Sequence, residues 1–407
     1  MKKIKRVLFY SIVVVVLSIV YFNRKVLNRP SSQTRFELTK RSKWNKVKLG
    51  PKAMAADGSK FFLYTRKGGS RNLMIYFCGG GGCWEGEMAH IPLSLRSYLK
   101  HGQFGYYFAR IPFYILSMHR GIFDQRPDNP FSEWNVVFIP YASGDFHVGH
   151  TTVSYVSKKS SKSRTVRYNG RNNVEEALQW IYQNFDTPDK LLIAGSSAGG
   201  FGSALWGSKI ANHYADAEIY HLSDSSFLLS DRWPTIVEDN WKAEFKRTFS
   251  YPMEADMIGA AFRHNGTAMP AHAVLLHACT VHDKVLASFQ NRLNGKGDEI
   301  NRQITEEWSR QFRSSTRQLD EQLPNFYYFL TNHEYDSETH TTPHTLLPMK
   351  AFYEAEEEGT KLITWLDGII HKNERVSRGA RFLHPEEAET ASAEKARMQV
   401  GGSHNEA

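Results

Sequence analysis

A serine lies at the centre of a glycine-rich turn near the middle of the chain. Ser197 belongs to the segment GSSAGG (195–200), which follows an apolar run at 190–194 and precedes a helix-period stretch at 198–213. Between a strand and a helix, a G-x-S-x-G turn raises the serine hydroxyl above the sheet edge, and the helix N-terminus favours negative charge there. The segment therefore predicts a nucleophilic serine, with a glycine-rich turn carrying an idle serine as the alternative.

A second glycine-rich turn occurs further upstream. The segment CGGGGCW (78–84) comes directly after an apolar run at 73–78. Glycines let backbone N–H groups approach a ligand, and an α/β-hydrolase supplies half of its oxyanion hole from this position. A phosphate-binding loop would continue with Lys and Ser or Thr, which do not follow these glycines. A flexible loop is the other alternative, and Trp84 argues against it because a large ring is costly to expose at a random turn.

The chain also offers an acid and several bases in a useful order. Asp283 comes shortly after an apolar run at 273–278, at the end of a predicted strand, where an open α/β sheet collects its site residues. His333, His340 and His344 follow the last predicted strand in polar loops, and a surface role is the default for at least two of them. The order Ser, Asp, His is that of the α/β-hydrolases.

The elements that must position these residues alternate between strands and helices. Helix-period stretches at 173–185 and 198–213 separate some of the apolar runs. The runs that predict buried strands are 73–78, 135–139, 190–194, 217–222, 273–278 and 326–330. Continuous apolar strands separated by helices predict the α/β class, with a mostly parallel central sheet and helices on both faces.

The net charge of the 407-residue chain is +9, and its excess lies at the N-terminal end. Residues 1–60 carry 15 Lys/Arg against two acidic residues, whereas the remainder carries 36 Lys/Arg against 40 acidic residues. A nucleic-acid enzyme more often distributes its basic charge over the folded body, so we expect no nucleic-acid partner. Three cysteines exclude a dense disulfide scaffold.

The N-terminal end has the pattern of a membrane signal. A basic start precedes an apolar run of 16 residues, 7–22, which is slightly short of the roughly 20 that a spanning helix needs. Bulky residues where a cleavage site would fall favour an uncleaved signal anchor over residues 1–25. Ten Lys/Arg within 24–52 argue against export of the rest of the chain. We further predict a basic stalk at 26–60, one folded domain at 61–371 and a disordered polar tail at 372–407.

Several segments occur together in the order typical of one family. The chain resembles the pectin acetylesterase and Notum family of carboxylesterases, nearest to its bacterial branch, over about residues 60–370. The matching segments are YFCGGGGCW (76–84), GIFD (121–124), DNPF (128–131), WNVVFIPY (134–141), SGDFH (143–147), the serine turn GSSAGG and LSDS (222–225). Their joint occurrence in order is far more specific than any one of them.

The resemblance implies an α/β-hydrolase-like serine carboxylesterase that needs no cofactor and no metal. Carried over by motif position, Ser197 is the nucleophile and Asp283 the acid that orients the base. The base is His344, because the residues after it follow the bacterial spacing, with His333 and His340 as alternatives. The backbone N–H groups of Gly80, Gly81 and Ala198 form the oxyanion hole. Residues that line the pocket are Trp84, Asp145 and His147.

The resemblance also sets the expected substrate and leaves several points open. An O-acetyl ester on a carbohydrate is the first substrate, and a membrane-anchored, extracytoplasmic domain is the expected location. The alternatives are a lipase-like or thioesterase-like deacylase of longer acyl chains, or a membrane-anchored binding protein without catalysis. Asp145, His147 and His150 also resemble a metal cluster, which H-x-x-H on a loop supports only weakly. The pairing of Cys78, Cys83 and Cys279 is open.

Overall fold

The strands of the fold include every apolar run that predicted one. A computed structural model describes residues 30–94, 97–99, 105–157 and 161–383, together with Tyr10, Val13, Val14 and Ser18. In these residues the strands are β1 (Ser31–Gln33), β2 (Trp44–Lys48), β3 (Phe62–Arg66), β4 (Leu73–Phe77), β5 (Asn135–Ile139), β6 (Thr151–Val156), β7 (Ser163–Tyr168), β8 (Lys190–Ser196), β9 (Glu218–Asp224), β10 (Val274–Thr280), β11 (Phe326–Thr331), β12 (Glu356–Glu357) and β13 (Thr360–Lys361).

Helices follow several of these strands. The α-helices are α1 (Gly86–His90), α2 (Ile115–Met118), α3 (Gly170–Asn184), α4 (Ala198–His213), α5 (Phe245–Phe249), α6 (Met257–Ala268), α7 (Lys284–Leu293), α8 (Arg302–Gln322), α9 (Ala351–Glu354), α10 (Leu362–Lys372) and α11 (Ala380–Leu383). Short 3₁₀ turns occupy Phe36–Leu38 and Gly121–Phe123, and a π-helical turn occupies Thr235–Asn240.

Among the described residues, nine strands form the central sheet in the order β1-β2-β3-β5-β4-β8-β9-β10-β11. Strands β5, β4, β8, β9, β10 and β11 are parallel, whereas β3 runs antiparallel to both β2 and β5. Strand order reverses at β4, which has β5 on one side and β8 on the other. Open α/β sheets bind ligands at the carboxyl ends of such a pair, and the two glycine-rich turns follow β4 and β8.

The core explains why the central strands are continuous apolar runs. Every residue of β4 and of β10 is buried, as expected for parallel strands covered on both faces. Helix α4 packs against β8 and β9 and is buried almost all around. The predicted mostly parallel α/β sheet is therefore confirmed.

The boundaries of the folded domain differ from the predicted ones. Within the expected stalk, β1 and β2 join the central sheet, where β2 pairs with β3 and buries Val47. The expected tail also begins too early, because the Leu330 N–H donates to the Arg378 carbonyl and Leu383 is buried. The cause is long-range strand pairing, which local composition does not reveal. The rest of the tail, residues 384–407, lies outside the described residues.

The predicted anchor, residues 1–25, lies outside the described residues except for four positions. None of the helices formed by described residues has both the length and the apolar character needed to cross a bilayer. The anchor therefore stays a prediction.

Candidate active site

Ser197 lies on a sharp turn between β8 and α4. Its backbone has φ 58° and ψ −129°, a sparsely populated conformation for a residue with a Cβ. The turn passes so close to β4 that a Cβ on Gly199 would lie 2.0 Å from the Phe77 carbonyl oxygen, so only glycine fits. The Ser197 N–H donates to the Asp224 carbonyl oxygen at 2.9 Å, which fixes the turn against β9. This is the geometry of a nucleophile elbow.

Asp283, which is fully buried, and His344, whose side chain is 15% exposed, form a pair beside this turn. His344 Nδ1 lies 2.6 Å from Asp283 Oδ2. The other carboxylate oxygen of Asp283 accepts hydrogen bonds from the N–H groups of Val285 and Leu286 at 2.9 and 3.0 Å, capping helix α7. Because the cap holds one oxygen, the second is directed at the imidazole.

The electrostatics of the pair favour a basic imidazole. Burial opposes protonation of His344, but the charge of Asp283, its hydrogen bond and the charge of Asp224 together raise the pKa of His344 above its ordinary value. The second ring nitrogen, Nε2, is buried and has no hydrogen-bond partner in the described part of the chain. His344 and Ser197 line the same cavity, so this nitrogen is available to a group bound there.

The two alternative bases lie elsewhere. His340 Nδ1 is 2.8 Å from the Tyr335 hydroxyl, and neither residue lines the cavity of Ser197. His333 lies with Glu334 and Glu354 in a partly exposed group whose ligand atoms are all within 4.8 Å of one another. Of the three histidines, the structure brings only His344 together with Ser197 and Asp283.

Three residues predicted to supply the oxyanion hole lie around the cavity of Ser197. Gly80, Gly81 and Ala198 all line the cavity. Gly81 has φ 77°, and a Cβ there would lie 1.8 Å from the Tyr106 carbonyl oxygen. The turn is hydrogen-bonded to the segment that carries Tyr106 through the Gly82 N–H and the Gly80 carbonyl. The N–H groups of Gly80 and Gly81 are not used in these hydrogen bonds. Ala198 is the first residue of α4, where N–H groups have no partner within the helix.

The cavity beside Ser197 has a volume of about 430 Å³. Its walls are mostly apolar, and a cavity of this size is in the range that takes a drug-sized ligand. The main apolar wall residues are Leu93, Phe108, Met118, Phe146, Phe201, Leu228, Leu286, Phe289, Pro348 and Met349.

The residues predicted to line the pocket lie behind its wall instead. Trp84 is buried against Trp233 and Phe289. Asp145 accepts hydrogen bonds from the Ser143 hydroxyl at 2.6 Å and the Gly170 N–H at 2.8 Å, and burial raises its pKa to about 6. The loop that carries Asp145 and His147 supplies Phe146 to the cavity wall, and its backbone has φ 51° at that residue.

His147, which also lies behind the cavity wall, supports the glycine-rich turn after β4. Its Nε2 lies 3.0 Å from the Cys78 carbonyl oxygen, and burial lowers its pKa to about 4. A neutral imidazole donates from Nε2 here, which ties the loop to the turn after β4. The cysteines Cys78, Cys83 and Cys279 are all free and buried, so no disulfide braces this region.

Asp224 is a site residue that sequence reasoning did not assign. Its buried carboxylate accepts hydrogen bonds from the Ser196 hydroxyl at 2.6 Å and the Leu347 N–H at 3.0 Å. The Leu346 N–H also donates to it, at 3.1 Å. The carboxylate thus joins the strand that carries Ser197 to the loop that carries His344. The only sequence signal was its position in LSDS, which matched the family without indicating a role.

Comparisons with known proteins agree with this architecture. A family model described as pectinacetylesterase matches residues 45–260. The palmitoleoyl-protein carboxylesterase notum1' of Xenopus laevis is 31% identical over 194 residues, which are 45% of this chain and 37% of that protein. The chain therefore matches little more than a third of the length of this relative.

Solved structures show the same fold. The Wnt deacylase Notum from Drosophila superposes with a TM-score of 0.56 at 20% identity, covering 82% of this chain and 94% of that one. A second crystal form of the same deacylase gives a TM-score of 0.55 at 18% identity. The central sheet with its helices is thus the Notum-like α/β-hydrolase fold.

Proposed function

The chain belongs to the pectinacetylesterase family, and on that premise we propose that it is a serine ester hydrolase. One observation carries the proposal. His344 is bonded through Nδ1 to the buried carboxylate of Asp283, while its buried Nε2 has no partner among described residues and shares a cavity with Ser197. A strained serine, a base and an orienting acid are the parts that nucleophilic acyl transfer requires.

The mechanism follows from these positions. His344 Nε2 takes the proton of the Ser197 hydroxyl as its oxygen attacks the ester carbonyl, and Asp283 orients the ring and stabilises its cation. The N–H groups of Gly80, Gly81 and Ala198 bind the oxyanion, and each such donor contributes about 3 kcal/mol to the transition state. The protonated imidazole then gives its proton to the leaving alcohol. Water, activated by the same ring, releases the acid from Ser197.

The cavity favours a longer acyl chain over acetyl. The family resemblance by itself favoured an acetyl ester, whose single methyl group would leave most of the 430 Å³ cavity unfilled. Burying an acyl chain against apolar walls contributes about 0.8 kcal/mol for each CH₂ group, so this cavity binds longer chains more tightly. One relative carries palmitoleoyl in its name. We therefore propose an acyl ester with an extended hydrocarbon chain as the substrate.

Replacement of the nucleophile tests the reaction type. Ser197→Ala should lower kcat by about 10⁴-fold or more and abolish labelling by a fluorophosphonate probe, with circular dichroism unchanged because alanine fits the turn. Ser196→Ala is the matched variant, and it should still label. Labelling of the Ser197 variant, or loss of labelling only in the Ser196 variant, would contradict the assignment.

A panel of p-nitrophenyl esters of graded chain length tests the acyl group. We expect kcat/KM to rise from acetyl to medium chains. Leu228, which is 2% exposed and lines the cavity, provides a second variant. Leu228→Trp should fill part of the cavity and lower kcat/KM for octanoyl esters at least tenfold more than for acetyl esters, by about 1.4 kcal/mol. A preference for acetyl esters that Leu228→Trp leaves unchanged would contradict the long-chain proposal and support an acetyl ester as the substrate.

A further inference from the structure

Exposed large apolar side chains are concentrated at the mouth of the cavity. Met118, Val285 and Met349 line the cavity and are 47%, 37% and 46% exposed. Phe113, on the segment just before α2, is 72% exposed. These four residues, called the rim below, come from three separate segments of the chain. Elsewhere in the described chain, Leu38, Val156 and Val376 are exposed singly, and Tyr98 and Leu99 form an adjacent exposed pair. Clustering around a site entrance indicates a surface that is covered in use.

Each residue of the rim has an exposed cation close to it in the sequence. The cations are Arg110, Arg120, Lys284 and Lys350. Ion pairs partly compensate the charges of these cations, but the cation of each pair is more exposed to solvent than its acidic partner. The Arg110 side chain is 74% exposed and its partner Asp57 13%, and Arg120 is 72% exposed and its partner Asp124 17%. The Lys350 side chain is 86% exposed and its partner Glu354 49%. In each of these three pairs the cation is thus the more exposed partner, so the chain segments that carry the rim also present basic side chains to solvent.

We propose that the rim docks the protein on a lipid bilayer with anionic headgroups. Basic side chains contact such headgroups while apolar side chains enter the acyl layer beneath them. A second copy of the chain fits less well, because two basic surfaces would face each other. The proposal rests on the proposed function in one respect. An acyl chain drawn from the bilayer reaches Ser197 along the apolar walls of the cavity without crossing water.

An environment-sensitive fluorophore on the rim of the full chain tests the proposal. Phe113→Cys can be labelled with a nitrobenzoxadiazole dye because Cys78, Cys83 and Cys279 are buried. Asp216→Cys is the matched control, since Asp216 is exposed between α4 and β9 at the opposite edge of the sheet. Vesicles of phosphatidylcholine with and without phosphatidylglycerol are added, with and without nitroxide-labelled lipid.

We expect a blue shift and nitroxide quenching at position 113 with phosphatidylglycerol, and neither at position 216. Adding Arg110→Gln and Lys350→Gln should raise the lipid concentration for half-maximal shift about tenfold. The apolar N-terminal segment is the same in all variants, so differences belong to the rim. A dye at 113 that stays in water on anionic vesicles, or equal shifts at both positions, would overturn the proposal and assign the rim to a protein partner. Hydrolysis of soluble p-nitrophenyl esters by the same preparations tests the esterase separately.

Discussion

Histidines in two regions of the molecule have opposite pKa shifts. His344 lies at the carboxyl edge of the sheet, beside Ser197. His221 and His277 lie inside the sheet, on the neighbouring parallel strands β9 and β10. The ring of Phe262 covers both, with centroids 5.0 and 5.6 Å away. The three rings are the same group in different surroundings.

The difference comes from the partners. Asp283 and Asp224 raise the pKa of His344 although burial opposes protonation. The four ring nitrogens of His221 and His277 have no hydrogen-bond partner within the described residues, and burial lowers each pKa to about 3. A nearby carboxylate therefore distinguishes His344, which can act as a base, from His221 and His277, which remain neutral and pack in the core. Burial alone does not identify a functional histidine.

The largest expected effect is on the histidine that has carboxylate partners. His344→Gln removes the base and should lower kcat by about 10⁴-fold or more. In the unmodified chain, the neutral ring is the active form, so activity should fall as pH drops through a pKa raised above the ordinary 6.5. Steady-state kinetics from pH 5 to 9 measures both effects.

The two histidines that the sequence offered as alternative bases provide the control for this comparison. His333→Gln and His340→Gln should each keep activity within about threefold, since neither ring lies in the cavity. Full activity of the His344 variant, together with loss of activity in one of these two variants, would identify that other histidine as the base. The assignments of Ser197 and Asp283 would stand.

The next effect concerns the second carboxylate. Asp224→Asn removes a charge and cannot accept from Ser196 and both loop N–H groups as the carboxylate does, so the His344 loop should shift. A displacement of about 1 Å at a reacting group costs about 10²-fold in rate. The acid limb of kcat/KM should also move to lower pH, because Asp224 helps to raise the pKa of His344.

Ser225→Ala is the matched control for Asp224. It removes a hydrogen bond of 2.9 Å to the same carboxylate but leaves its charge. The acid limb should therefore stay in place in this variant. A slower Asp224→Asn enzyme whose acid limb has not moved would reduce the role of Asp224 to shaping the loop.

The parallel part of the fold was predictable and its edge was not. Strands such as β4 and β10 are buried on both faces, so each is a continuous apolar run that the sequence reveals directly. Strand β2 has the sequence WNKVK and alternates between partly exposed and buried residues, so its basic composition resembled a linker. Pairing with β3, the next strand along the chain, decides its structure.

The candidate site was predictable to the extent that its residues follow strands. Ser197 comes directly after β8 and Asp283 three residues after β10, so topology alone brings them to one edge. His344 lies in a long loop, where only the spacing of later residues separated it from two other histidines. Asp224 was missed because its donors come from β8 and from the loop at 346–347, which no local pattern connects. Pocket walls depend on side-chain packing and were wrongly assigned to Trp84, Asp145 and His147.

The smallest effect concerns the histidines without partners, and it appears in stability rather than in rate. Between pH 3 and 6.5 the unfolded chain binds protons at His221 and His277 that the folded chain excludes, because their folded pKa is about 3. Stability should therefore rise with pH through this window. Each histidine should contribute a loss of about 2 kcal/mol between pH 7.5 and pH 5. His277→Leu should reduce this loss of stability by that amount in urea unfolding, with ester hydrolysis retained.

Phe262→Leu is the control, because it loosens the same cluster without removing a titrating group, and it should lower stability equally at both pH values. Parallel losses in the His277 variant and the unmodified chain would show that protonation at His277 does not govern acid stability.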